Sequence, residues 1–62
     1  MKALKIINCR DPHMWYGYSI GRVVPLIGEE NDYYWSREAD GYKNIIYKTD
    51  AIIVEVEEKT SN

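Results

Sequence analysis

Asp40-Gly41 stands between two runs rich in Tyr, Trp and Ile, and this dipeptide constrains the fold of the chain more than any other feature. A two-residue type I′ turn needs positive φ at both central residues, and Asp-Gly is among the pairs that accept it most readily. The spacing predicts a hairpin over residues 33–47. Its register sets Ala39 opposite Tyr42, Glu38 opposite Lys43, Arg37 opposite Asn44, Ser36 opposite Ile45, Trp35 opposite Ile46 and Tyr34 opposite Tyr47. Side-chain chemistry favours that register, because Glu38–Lys43 and Trp35–Ile46 are pairs of a kind that stabilise a ladder by about 0.2–1 kcal/mol.

Strand patterns continue on both sides of the hairpin. Over residues 2–8, Leu4 and Ile6 alternate with Lys5 and Ile7; over residues 51–57, Ile52, Val54 and Val56 alternate with Ile53, Glu55 and Glu57. Residues 22–27 form another apolar run, in which Pro25 has no N–H to donate and so implies an edge strand or a bulge. Residues 28–32 read as an acidic turn, and residues 48–50 as a turn of 3₁₀ helix. No window of a dozen residues keeps a helical apolar stripe. Between the first two strands, Asp11-Pro12 and Gly17 break an aromatic segment, Trp15-Tyr16-Gly17-Tyr18, into a long loop. The expectation is one all-β domain over residues 1–62, a small five-stranded barrel with a long loop between strands 1 and 2 and a frayed tail at residues 58–62.

A chain of 62 residues buries only about 60% of its unfolded surface, and domains this small commonly need a staple. Cys9 is the sole cysteine, so no internal disulfide is available; it is read as a small buried hydrophobe of a reducing compartment. The longest apolar stretch, Ala51 to Val54, falls far short of the ~20 residues of a membrane span. Residues 1–5 lack the apolar centre of a signal peptide, so a cytoplasmic protein is expected, with no membrane partner. The net charge is −2 and the basic residues are scattered, which disfavours a nucleic-acid partner.

Chemistry that depends on clustered ligands or bases is not expected. Cys9, Asp11 and His13 are close in sequence, but a structural zinc site takes four ligands and the chain has no second Cys or His. A nucleophile would have only His13 as an imidazole base, and a barrel this small offers little room for a pocket of ~300 Å³. No catalytic residue, metal or cofactor is therefore expected.

Burial on both faces of a strand shows as adjacent apolar residues, and the chain has Ile6-Ile7, Val23-Val24, Ile45-Ile46 and Ile52-Ile53-Val54. One small barrel has one interior, so some of these face outward. With the missing staple, this predicts a homodimer through Ile45, Ile52, Ile53 and Val54. The two Trp and six Tyr, beside no Phe, supply rings that suit interfaces as well as half-wet cores. Trp15, Tyr16, Tyr18, Tyr34 and Tyr47 are the candidate partner-binding residues.

The succession of a Lys-led strand, Ile20-Gly21-Arg22, Tyr33-Tyr34-Trp35, Asp40-Gly41 and Tyr47-Lys48 before a last strand resembles short SH3-like barrel proteins of bacteriophages and prophages. The resemblance spans nearly the whole chain. It implies an SH3-like barrel acting in the host cytoplasm, in a group whose members mostly have no assigned function; with the aromatic loop Trp15-Tyr16-Tyr18 and the lack of catalytic machinery, the expectation is a non-enzymatic protein-binding module that inhibits a host factor such as a defence protein. It supplies no catalytic residues, and the Ala-Leu-Tyr-Asp-Tyr opening of eukaryotic signalling SH3 domains is missing. Two other readings are a nucleic-acid-binding barrel that stacks bases on its rings, with Arg10, Arg22, Arg37, Lys43 and Lys48 on phosphates, and a virion assembly component.

Overall fold

The computed structural model describes residues 1–57, and the tail expected at residues 58–62 lies outside them. It is all-β, with strands β1 (Lys2–Ile6), β2 (Val23–Pro25), β3 (Gly28–Glu29), β4 (Tyr33–Arg37), β5 (Lys43–Tyr47) and β6 (Ala51–Glu55), and a 3₁₀ turn at Lys48–Asp50. Two three-stranded antiparallel sheets form, in the orders β2-β1-β6 and β3-β4-β5. Among the described residues no closed barrel forms, and there are six strands where five were expected. The second expected strand is the one that divides. Pro25 ends its pairing with β1, and the chain resumes pairing at Gly28, now against Trp35 of β4. No helix is long and apolar enough to cross a membrane among the described residues.

The hairpin forms, but one residue out of the expected register. Tyr33 faces Tyr47, Tyr34 faces Ile46, Trp35 faces Ile45, Ser36 faces Asn44 and Arg37 faces Lys43. The loop explains the slip. Only Gly41 has positive φ (96°), whereas a type I′ turn would also require it of Asp40. The Gly41 N–H donates to the Glu38 carbonyl (2.9 Å) and the Glu38 N–H to the Tyr42 carbonyl (2.8 Å), closing a three-residue loop of Ala39, Asp40 and Gly41. The opposed cations of this register are separated by other partners. Arg37 donates to the Gly41 carbonyl at 2.8 Å, and the Lys43 ammonium sits 5.3 Å from the centre of the Trp35 ring. Glu38, expected opposite Lys43, instead accepts from the Asn44 side-chain amide at 2.8 Å.

Because side chains alternate along a strand, a one-residue slip exchanges the faces. Ile46 and Ser36 turn inward and are buried, while Trp35 and Ile45 lie on the outer face. The core lies between the sheets and consists of Leu4, Ile6, Tyr16, Ile46 and Ala51, bordered by Cys9, Met14, Trp15, Val24, Leu26 and Tyr34. The loop joining β1 to β2 is closed at its mouth, where the Gly21 N–H donates to the Ile6 carbonyl (2.7 Å) and the Ile6 N–H to that of Arg22 (3.0 Å). Ser19 to Arg22 forms a turn with Gly21 at φ 89°, a conformation that suits glycine.

Candidate functional site

The aromatic loop divides into a part that builds the fold and a part that faces water. Tyr16 is completely buried, and its hydroxyl donates to the Asp50 carboxylate at 2.6 Å while accepting from the Tyr47 N–H at 3.4 Å. Asp50 is itself buried and also accepts from the Asn8 side-chain amide at 3.4 Å. Burial, and then the hydrogen bond to Asp50, push the Tyr16 phenol well above its ordinary value. Trp15 meets Tyr16 edge to face (centroids 5.6 Å apart) and donates from Nε1 to the Ile45 carbonyl at 2.8 Å. Of the loop aromatics, Tyr18 alone is wholly exposed.

Tyr18 and Trp15 form one wall of an open groove of about 460 Å³. The other walls are Arg22 to Pro25, running into β2, and Arg37 to Ala39 at the end of β4. This volume exceeds the room expected for so small a fold. The groove is lined by residues outside the buried core, so its size is not limited by the interior. Arg22, Val23 and Arg37 are exposed, and Glu38 is fixed by Asn44. The arrangement offers two rings, an apolar strand edge and two guanidinium groups around one concavity. It suits an extended ligand with apolar and acidic groups.

The expected partner-binding residues do not all meet here. Trp15 and Tyr18 line the groove, whereas Tyr16 is in the core and cannot touch a partner. Tyr34 is half-buried against the core, with the Lys48 ammonium 5.3 Å from its ring centre and held by Glu29 at 2.6 Å. Tyr47 lies on the opposite face of its sheet from Tyr34, beside Tyr33. Of the expected dimer residues, Ile52, Ile53 and Val54 share β6, while Ile45 belongs to the other sheet. Arg22, Val23, Pro25, Arg37 and Glu38 enter the groove without having been expected together. No sequence signal points to them together, because the long loop, β2 and the end of β4 meet only through tertiary packing.

Residues 9–13 make local contacts. The Cys9 thiol donates to the Asp11 carbonyl at 2.9 Å and is held above its ordinary value, first by burial and then by the negative charge of Asp50. The Asp11 carboxylate accepts from the His13 N–H at 3.0 Å, which holds it below the usual carboxylate value. No family model matches the sequence, and no curated protein or solved structure matches it either.

Proposed function

We propose that the chain is a non-enzymatic protein-binding module built on an open SH3-like barrel, and that it takes an acidic, partly apolar peptide segment in the groove between Tyr18 and β2. The carrying observation is the pairing of exposed Tyr18 with Arg22 and Arg37 around a groove of about 460 Å³ in a chain whose net charge is −2. The barrel reading rests on the split second strand. β2 and β3 are separated only by Leu26 and Ile27, so one bent strand serves both sheets. The resemblance to phage and prophage proteins makes a bacterial host protein, such as a defence factor, the source of the segment, and binding inhibits that protein.

The test is selection from a random peptide library on the wild-type protein, followed by titration of the selected peptides against Tyr18→Ala and Arg22→Glu. Both side chains are exposed, so the fold is unaffected. The expected result is enrichment of acidic peptides whose affinity falls about tenfold or more in each variant, the loss of one hot-spot contact. Peptides that bind both variants as well as the wild type would refute the groove.

A nucleic-acid-binding reading is favoured by a different surface. On the outer face of β4 and β5, Tyr33 and Trp35 meet edge to face at 5.6 Å, with Lys43 over Trp35. Quenching of tryptophan fluorescence by a single-stranded oligonucleotide at low salt, weakening as salt rises, would support it.

A further inference from the structure

We infer that the free edge of β6 pairs with β6 of a second copy of this chain, joining the two β2-β1-β6 sheets into one continuous sheet across a twofold axis. This inference does not depend on the groove. It starts from how each sheet ends. β5 ends its sheet with the outward groups of its centre occupied: Trp15 donates to the Ile45 carbonyl, the Tyr47 N–H donates to Tyr16, and the Ile45 N–H donates to the Asn44 side chain at 2.8 Å. β2 is three residues long and contains Pro25, and β3 has two residues. Among the described residues, nothing pairs with the outer side of β6.

The direction of the β6 backbone groups follows from its ladder. The Val56 N–H donates to the Met1 carbonyl and the Ile7 N–H to that of Asp50. In an antiparallel ladder, hydrogen-bonded and non-bonded pairs alternate. Val54 and Ile52 are therefore bonded to β1, while Ile53 and Glu55 direct N–H and C=O to the free side. An exposed apolar strand edge of this kind is a template for another strand.

The chain is its own fitting partner. Overlapping the whole of β6 with its antiparallel copy sets Ile53 opposite Ile53, Ile52 opposite Val54 and Glu55 opposite Ala51. Both Ile53 residues then exchange their N–H and C=O groups. The three central side chains brought together are apolar, Ile52 and Ile53 being exposed at 46% and 40% in the single chain, and Glu55 meets Ala51 at each end. No like charges are opposed. Sliding the copies toward Glu55 shortens the ladder and brings Glu55 opposite Glu55, which disfavours that alternative. A five-residue edge is small beside the roughly 800 Å² per partner of a standard interface, which makes this a weak, concentration-dependent dimer.

The test is sedimentation velocity on the full chain across a micromolar concentration series, with Ile53→Lys, Ile53→Asp and their equimolar mixture. The wild type is expected to approach twice the protomer mass. Each variant alone sets like charges together on the axis and weakens self-association about a hundredfold or more; the mixture restores a dimer. Near-ultraviolet circular dichroism from Trp15 and Trp35 establishes that each variant remains folded. Hydrogen exchange at the wild-type Ile53 amide, slowing as concentration rises, supplies a readout that needs no variant. A wild type that stays monomeric overturns the inference. So does an Ile53→Lys protein that dimerises as well as the wild type, which would place the contact on the outer face of the sheet around Val23, Lys5 and Ile52.

Discussion

β5 and β6 have the same length and both lie at the margin of a three-stranded sheet, yet they finish it differently. Along β5, Trp15 and Tyr16 of the long loop occupy the Ile45 carbonyl and the Tyr47 N–H, and Asn44 takes the Ile45 N–H; along β6 the outward groups of Ile53 and Glu55 meet no strand among the described residues. The difference comes from where the loop lies. Its mouth is closed beside β1, and its aromatic body crosses to the β5 side, where Tyr16 reaches Asp50 and Trp15 reaches Ile45. Most of the aromatic loop thus acts as a side-chain strand substitute for one edge. The other edge is left uncovered by the described residues.

The largest effects should come from breaking the closed edge. Tyr16→Ala removes a wholly buried ring and leaves the Asp50 carboxylate without its shortest hydrogen bond. A loss of about 3–5 kcal/mol is expected for such a truncation. That approaches the whole stability of a domain this size, so urea titration should find the variant largely unfolded. Tyr16→Phe keeps the ring and removes only the hydroxyl, and should cost about 2 kcal/mol.

Trp15→Phe keeps much of the packing but frees the Ile45 carbonyl. It should cost about 1 kcal/mol in the same titration and increase light scattering on storage as the β5 edge opens. By contrast, Ser36→Ala tests a group that neither edge uses. The Ser36 hydroxyl is buried with no hydrogen-bond partner among the described residues, so its removal should change stability by less than about 0.5 kcal/mol, or increase it slightly.

A pH series separates the Tyr16–Asp50 contact from other sources of stability. The folded-state phenol is raised above its unfolded value of about 10, because burial and Asp50 favour the neutral form. Its contribution is therefore fully present below pH ~10 and is lost as pH rises toward the folded value. The melting temperature of the wild type should fall above pH ~10 more steeply than that of Tyr16→Phe.

These regions also differ in how far the sequence discloses them. The all-β class, a first strand with Leu4 and Ile6 on one face, the 3₁₀ turn and a last strand from Ala51 follow from alternation and turn residues, though the first strand ends at Ile6 and the last at Glu55, two residues short of the expected ends. The hairpin register does not. The favourable pairing of Glu38 with Lys43 was outweighed by backbone geometry at Asp40, and Arg37 and Lys43 found partners in a carbonyl and a ring. Tyr16 and Tyr18 are two residues apart with the same side chain, and only the fold places one against Asp50 and the other in water. The groove was illegible for a similar reason: its guanidinium groups lie on β4 and beside β2, which come together only through tertiary packing.

Residue-resolved amide hydrogen exchange, recorded at low and high protein concentration, tests the contrast between the two edges most directly. The Ile45 and Tyr47 amides should be protected equally at both concentrations, whereas the Ile53 and Glu55 amides should exchange quickly when dilute and slow by about tenfold or more when concentrated, following the dimer population. Concentration-independent exchange at Ile53, or unprotected amides at Ile45 and Tyr47, would contradict it.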